Sequence, residues 1–393
     1  MFNTLYIAWK YIRYNKIKTA TLIACITLIS FLPLCLELLL NESERQLMSR
    51  AVSTPLVVGA RGSSLDLVMN TLYFGDEVPE LISMEASDRV MDADLAVPIP
   101  LYVRFRTRGA PIVGTTLDYF DFRGLKVAEG DPLTMLGDCV VGASAAEALG
   151  LKPGDSLVSS PENLFDLAGV YPLKMKVAGI LERKHTSDDL AVFVDLKTAW
   201  IIQGLMHGHE DVTKTRDQSV ILKQTEGNVT ANAKLFQYTE ITEENMDSFH
   251  FHGDSSVYPI TAVIAVPYDT KSGTILRGRY LSGEETHQIA KPEEVIDGLL
   301  QNIFRIKNVL DAVIVVVGLA TVLAVVLVFA LSLRLRQREI QTIFKLGCSR
   351  MTIARLLAAE IFIIVLSSGL LCGAMMFAVN LFANDLVRVM FIR

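Results

Sequence analysis

Four of the six histidines in the 393-residue chain stand in two His-x-His pairs, His207-Gly208-His209-Glu210-Asp211 and His250-Phe251-His252-Gly253-Asp254. Imidazoles beside carboxylates suit Zn²⁺, and neutral histidine is available at pH 7. A His-x-His pair alone is a weak signal, and surface histidines without metal are the preferred reading unless the two pairs converge in space. Other chemistry is sparse. No Ser/His/Asp or Cys/His arrangement suggests a nucleophile, and Asp188-Asp189 reads as a loop before a strand. No Gly-x4-Gly-Lys-Ser/Thr phosphate loop occurs, so any ATP hydrolysis must come from another chain.

The densest cationic cluster lies near the other end of the chain, in Arg336, Arg338, Glu339, Ile340, Phe344, Lys345, Gly347, Ser349 and Arg350. Its spacing predicts a basic amphipathic helix with Ile340, Ile343 and Phe344 as an apolar face. Gly347 is the expected stop, and Ser349 the cap of a following helix from about Arg350. Such a face beneath a membrane suits a partner protein or the headgroup region.

The elements that must position these residues are mostly membrane elements. Hydrophobic residues make up 51% of the chain, in long runs separated by ordinary globular sequence. Three runs match the roughly 20 apolar residues that a bilayer requires: Thr19 to Leu40, Ala312 to Leu333 and Ile361 to Phe382. The first holds Pro33 and one charge, Glu37, which is expected at the outer edge of the hydrocarbon rather than in an ion site. It lacks a small-residue cleavage site and reads as a retained anchor. Lys10, Arg13, Lys16 and Lys18 precede it, and basic residues dominate 334–355, so both segments are expected inside. The fold expected is an α-helical transmembrane unit of three spans, with a large α+β extracytoplasmic domain between the first and second.

Charge separates the parts. Residues 1–40 carry +3 and residues 305–393 carry +6, leaving −15 for 41–304 in a chain of −6. An acidic exterior excludes nucleic acid as a partner and is repelled by anionic lipid. Cys139 is the one cysteine of the exterior part, so no internal disulfide staples it.

Within that exterior, Pro55–Gly59, Leu95–Arg106, Ala110–Thr115, Cys139–Gly142, Met175–Leu181 and Leu190–Val194 read as strands, and Ala143–Leu149 as a helix. Thr213–Lys223 and Val257–Pro267 look extended and Ala231–Tyr238 helical, giving two expected subdomains. From Pro292 a helical period continues without a strong breaker to about Leu346, roughly 80 Å at 1.5 Å per residue. That helix is either a lever or a stalk.

The 336–350 segment resembles the MacB/FtsX/LolC family of ABC transporter permeases, in which an Arg-x-Arg-Glu-Ile helix precedes a Leu-Gly-small-Ser-Arg turn. Here these are Arg336, Arg338, Glu339, Ile340, Leu346, Gly347, Cys348, Ser349 and Arg350, with Glu360 following. Val113–Phe120, Val140–Gly142, Leu149–Asp155, Val177–Leu181 and Asp189–Leu196 resemble the family's periplasmic domain.

The resemblance covers 1 to about 200 and 290–383. It implies a cytoplasmic amphipathic helix at 1–18, spans at 19–40, 305–333 and 356–383, and a periplasmic domain at 41–304. That domain is MacB-like to about 200, with a divergent 200–290 part and a stalk. A coupling segment at 334–355 and an extracytoplasmic tail at 384–393 complete the division.

It further implies a permease subunit of the bacterial inner membrane, not itself an enzyme. Such a subunit forms a homodimer and pairs with a cytoplasmic ABC ATPase that supplies ATP and Mg²⁺ chemistry. Its periplasmic domain acts on a lipoprotein, lipid, peptide or metal-related substrate, with a periplasmic protein partner and membrane lipid as further contacts. The family has four spans and three are found here. Gly369-x3-Gly373 offers close packing, within the subunit or between two copies. An FtsX-like regulator of a periplasmic partner and a zinc-handling module remain alternatives.

Overall fold

The structure is a computed structural model. It describes residues 2–160, 172–208, 221–225, 228–231, 239–242, 245–246, 249–251, 254–281 and 286–391, apart from 336, 338–340, 343–344 and 346–348. Two units are distinguished, one of residues 1–46 and 299–391, the other of 47–298.

In the first unit, helix α1 spans Phe2–Tyr14 and α2 spans Lys16–Val52. The 37 residues of α2 reach well past the apolar run that ends at Leu40. At 1.5 Å per residue the helix is about 55 Å long, against about 30 Å of hydrocarbon. Its polar extension is tied internally, with Arg45 and Gln46 both donating to Glu42 at 3.0 and 3.1 Å. It ends where Pro55 restricts Thr54 to extended backbone.

The second unit, expected from the sequence to lie outside the membrane, is built on strands. Those of its main sheet are β1 (Leu56–Ala60), β2 (Ala96–Thr107), β3 (Ala110–Thr115), β4 (Val127–Gly130), β5 (Asp138–Val141), β6 (Ser156–Val158), β7 (Leu173–Leu181), β8 (Val192–Asp195), β9 (Thr239–Glu240), β10 (Ala262–Pro267) and β11 (His287–Ala290). They lie in the order β9-β7-β5-β8-β3-β2-β10-β1-β11, with β4 and β6 also paired to β7. The sheet is mixed: β3 with β8 and β5 with β7 are parallel, while β5 with β8 and β2 with β3 are antiparallel. Val140, Val141, Val192, Phe193 and Val194 are all buried, so the middle of the sheet is covered on both faces.

Helices α3 (Ser64–Tyr73), α4 (Glu85–Asp92), α5 (Leu117–Arg123), α6 (Ala143–Leu149), α7 (Leu196–Ile202) and α8 (Thr270–Arg279) provide that cover. The α+β expectation holds. The described strands join one large sheet and three two-stranded ribbons within a single unit, rather than two subdomains. Ala231 ends a strand, Asn228–Ala231, and does not begin a helix; 232–238 lie outside the described residues.

Two long helices complete the first unit, α9 (Pro292–Leu335) and α10 (Arg350–Phe391). Among the described residues, Lys16–Val52 and Met351–Phe382 are long and apolar enough to cross a membrane, and α9 contributes the shorter apolar run Asp311–Leu327. The continuation of α9 toward 346 is described only in part, with Gln337, Gln341, Thr342 and Lys345 helical.

Candidate functional site

The last turn of α2 carries Arg50, 6% exposed, on the first residues of the exterior unit. Its two terminal nitrogens grip Asp188 as a fork, Nη1 to Oδ2 at 2.6 Å and Nη2 to Oδ1 at 2.8 Å. Nη2 also donates to the Tyr119 hydroxyl at 2.9 Å, which in turn donates to Asp188 Oδ1 at 2.8 Å. Thr186 supplies a fourth donor, its Oγ1 lying 3.0 Å from Oδ2. Asp188 is 2% exposed and Tyr119 fully buried, so a charge pair sits inside the domain with its carboxylate bonded on both oxygens. That satisfaction is what makes burial of the pair tolerable.

Three segments bring these groups together. Asp188 lies on a short 3-10 turn, Ser187–Leu190, just before β8. The turn is shaped by Asp189, whose carboxylate accepts the backbone N–H groups of Lys184 and His185 at 2.9 and 2.8 Å. His185 thereby holds a left-handed φ of 58°. Gly142, between β5 and α6, lets the turn settle: a Cβ there would collide with the Asp188 carbonyl and the Asp189 backbone. Tyr119 comes from α5, after β3, and its ring packs on Phe193 of β8 at 5.7 Å.

A second arginine braces the helix end. Arg123 donates to Ser53 Oγ at 3.2 Å and Thr54 Oγ1 at 2.8 Å. Both hydroxyls donate to the Arg50 carbonyl at 2.9 Å, capping one of the free carbonyls at the end of α2. Phe74 lies under the Arg50 guanidinium at 5.4 Å, and the Tyr73 hydroxyl donates to the Leu47 carbonyl.

The electrostatics follow from this arrangement. Burial opposes charge on Asp188, yet the Arg50 charge and the bonds from Arg50 and Tyr119 prevail and hold its carboxyl at about 2. Burial also opposes charge on Arg50, and Asp188 more than restores it. Burial and the neighbouring Asp188 charge push the Tyr119 phenol up to about 12. Burial, then the charge of Arg50, lowers Arg123.

Nothing in the sequence marks Arg50, Tyr119 or Arg123, and Asp188 reads there only as part of a loop before a strand. Arg50 and Asp188 are 138 residues apart, and Arg50 follows Glu42, Glu44 and Arg45 in what reads as a solvated stretch. The available signal was the absence of any breaker between Leu40 and Pro55.

The residues expected to do chemistry are placed differently. His207 and His250 face one another in register in an antiparallel ribbon, Met206–Gly208 with Phe249–Phe251. His209 and His252 lie outside the described residues. Of the coupling residues, Lys345 is exposed on a helical turn. Ser349 caps α10, its Oγ accepting Thr352 N–H at 3.2 Å. Arg336, Arg338, Glu339, Ile340, Phe344 and Gly347 fall outside the described residues, as does the side chain of Arg350.

Among the described side chains of α10 the buried positions are Glu360, Ile364, Ser368 and Cys372, every fourth residue along one face. Glu360, 4% exposed, pairs with Lys18 at 3.9 Å. Ser368 Oγ donates to the Ile23 carbonyl and Thr27 Oγ1 to the Ser368 carbonyl, both at 3.4 Å. Gly369 and Gly373 lie off this face, and a Cβ at either meets nothing within 4 Å among the described residues.

Comparison with known structures gives distant likenesses. The periplasmic region of MacB from Actinobacillus actinomycetemcomitans is 12% identical, with a TM-score of 0.35, covering 64% of this chain and 97% of that one. The extracellular domain of the noncanonic ABC-type transporter YknZ from Gram-positive bacteria is 13% identical, with a TM-score of 0.31 and coverages of 60% and 98%. A domain of a permease protein from Porphyromonas gingivalis is 11% identical, with a TM-score of 0.26 and coverages of 60% and 86%. No curated protein matches the chain. The family model described as MacB-like periplasmic core domain matches residues 38–235, from the outer end of the first apolar run through most of the sheet. With just over half of its length matched in this way, the chain belongs to the family of the MacB-like periplasmic core domain.

Proposed function

We propose that the chain is the permease subunit of an ABC transporter of the inner membrane, in which a separate cytoplasmic ATPase drives movement of the periplasmic domain. In this reading α2, α9 and α10 are three spans, the N-terminus is cytoplasmic, and two copies of the chain assemble. The substrate is a periplasmic or outer-leaflet lipoprotein, lipid, peptide or metal-related species. The observation that carries the reading is the run of α2 and α9: each is a continuous helix with an apolar stretch in one unit and residues in the other. The hydrogen bonds of a helix run along its axis, so displacement at one end is carried to the other, with Pro33 the point where α2 can bend. The basic 336–350 segment and α1 form the ATPase-facing surface.

The test is purification of the full chain from membranes together with the ATPase subunit, recognised by its phosphate loop. Reversing charge at Glu339 and Arg350 is expected to release that subunit while the permease still accumulates in the membrane. A chain that never retains an ATPase refutes the reading.

A second, compatible reading is favoured by the His207–His250 register. Directly opposed residues of an antiparallel pair have Cβ atoms about 5 Å apart, a spacing suited to two nitrogens on one Zn²⁺ at about 2.0 Å each. Calorimetric titration of the purified chain with Zn²⁺ is expected to give saturable binding that His207→Ala and His250→Ala each abolish. Heat of dilution alone removes zinc from the account.

A further inference from the structure

The two helices that carry residues of both units are fastened into the exterior unit by contacts of opposite character. The root of α2 is held by Arg50, whose fork on Asp188 and bond to Tyr119 are buried. A planar guanidinium bonded at two points to a carboxylate fixes both separation and orientation. Pulling it apart would strand two charges away from water, so such a joint does not slip in small steps.

The root of α9 is different. Ile296 is buried there, but the polar contact is exposed: Arg277 of α8, 42% exposed, grips Glu294, 51% exposed, in a fork at 2.8 and 2.5 Å. Lys291 and Glu293 form another exposed pair at 2.7 Å. The geometry of the Arg277 fork matches that of Arg50, and the difference is solvent: water can replace an exposed pair's bonds as it opens, which it cannot do for a buried one.

The destinations also differ. Arg50 reaches Asp188 just ahead of β8 and Tyr119 just after β3, and these two strands are paired in the middle of the sheet. Strand β11, which leads into α9, is the last strand in the sheet order.

We propose that the Arg50–Asp188–Tyr119 joint is the rigid attachment through which movement of α2 reaches the central strands, and that the α9 root, held by Arg277–Glu294, is the compliant one. This rests on the permease reading above and assigns a transmitting role within it. Arg50 and Asp188 are positioning residues in this scheme. The asymmetry lets one helix impose a displacement while the other accommodates it.

Hydrogen–deuterium exchange on the full chain with its ATPase subunit in lipid nanodiscs tests this, comparing the nucleotide-free complex with one holding a non-hydrolysable ATP analogue. The unsubstituted complex is expected to show a nucleotide-dependent difference in 110–123 and 187–195. The double replacement Arg50→Met/Asp188→Leu exchanges the pair for apolar groups, a change that buried pairs often tolerate. It is expected to keep protection in β2 and β10 and lose the nucleotide-dependent difference.

Arg277→Gln/Glu294→Gln is expected to keep that difference. If the double replacement does not fold, Arg50→Lys, which retains charge without the fork, serves instead and is expected to reduce it. No nucleotide effect in the unsubstituted complex overturns the permease reading itself. A full effect in Arg50→Met/Asp188→Leu, or in Arg50→Lys, overturns the joint alone, as does loss of the effect in Arg277→Gln/Glu294→Gln.

Discussion

Replacing Asp188 by asparagine would leave Arg50 buried with its charge uncompensated, and breaking a buried pair in this way costs about 3–5 kcal/mol. Urea unfolding of the full chain in detergent, followed by Trp200 fluorescence, is expected to show a loss of that order. Trp200 is buried in the exterior unit, with its Nε1 on the Pro259 carbonyl at 2.7 Å, so it reports there. The pH dependence has a defined sign. The folded carboxyl sits at about 2, below the roughly 3.9 of an unfolded aspartate. Its contribution is therefore complete above about pH 4 and is lost as pH falls through about 2. In Asp188→Asn that part of the acid limb should vanish, leaving a flatter profile between those values.

Helix α10 illustrates what local pattern reveals and what it conceals. Its start was legible, because a glycine stop followed by a serine cap is a rule confined to a few residues, and Ser349 makes the expected bond. Its packing face was not. The Gly369-x3-Gly373 spacing suggested close approach, yet within the chain the buried line is Glu360, Ile364, Ser368 and Cys372, joined to α2 through Lys18 and the Ile23 carbonyl. A polar residue in an apolar run marks the inward face more faithfully than a small one does, because hydrocarbon penalises it more. Among the described residues nothing packs against the glycine face, which the proposed assembly of two copies could use. Gly369→Leu is expected to leave membrane accumulation unchanged and to weaken self-association, measured by sedimentation in detergent. Unaltered association would place the other copy on a different face. The strand Ala110–Thr115 and the helix Ala143–Leu149 were legible for the same local reason as the cap, since both have clear runs and flanking turns. The extension of α2 to Val52 lacked such a signal, because its last turns are polar and its anchor lies 138 residues away.

At the scale of the whole molecule, the charge division in the sequence anticipates two environments, and the structure divides close to the same places, at 46/47 and 298/299. The seam at 46/47 has a practical meaning for anyone wishing to cut the domain free of the membrane. Arg50 belongs chemically to the domain although it is carried on the helix of the first apolar run. A soluble fragment begun at Ser53, just ahead of the first strand-like run, would enclose Asp188 and Tyr119 around a hole the shape of a guanidinium. One begun at Leu47 would bring its own counter-ion. The shorter fragment is expected to aggregate or to melt well below the longer one in scanning calorimetry, and equal melting would argue that water fills the vacancy at no cost. The domain's true first residue is set by a salt bridge rather than by the last hydrophobic side chain of the anchor.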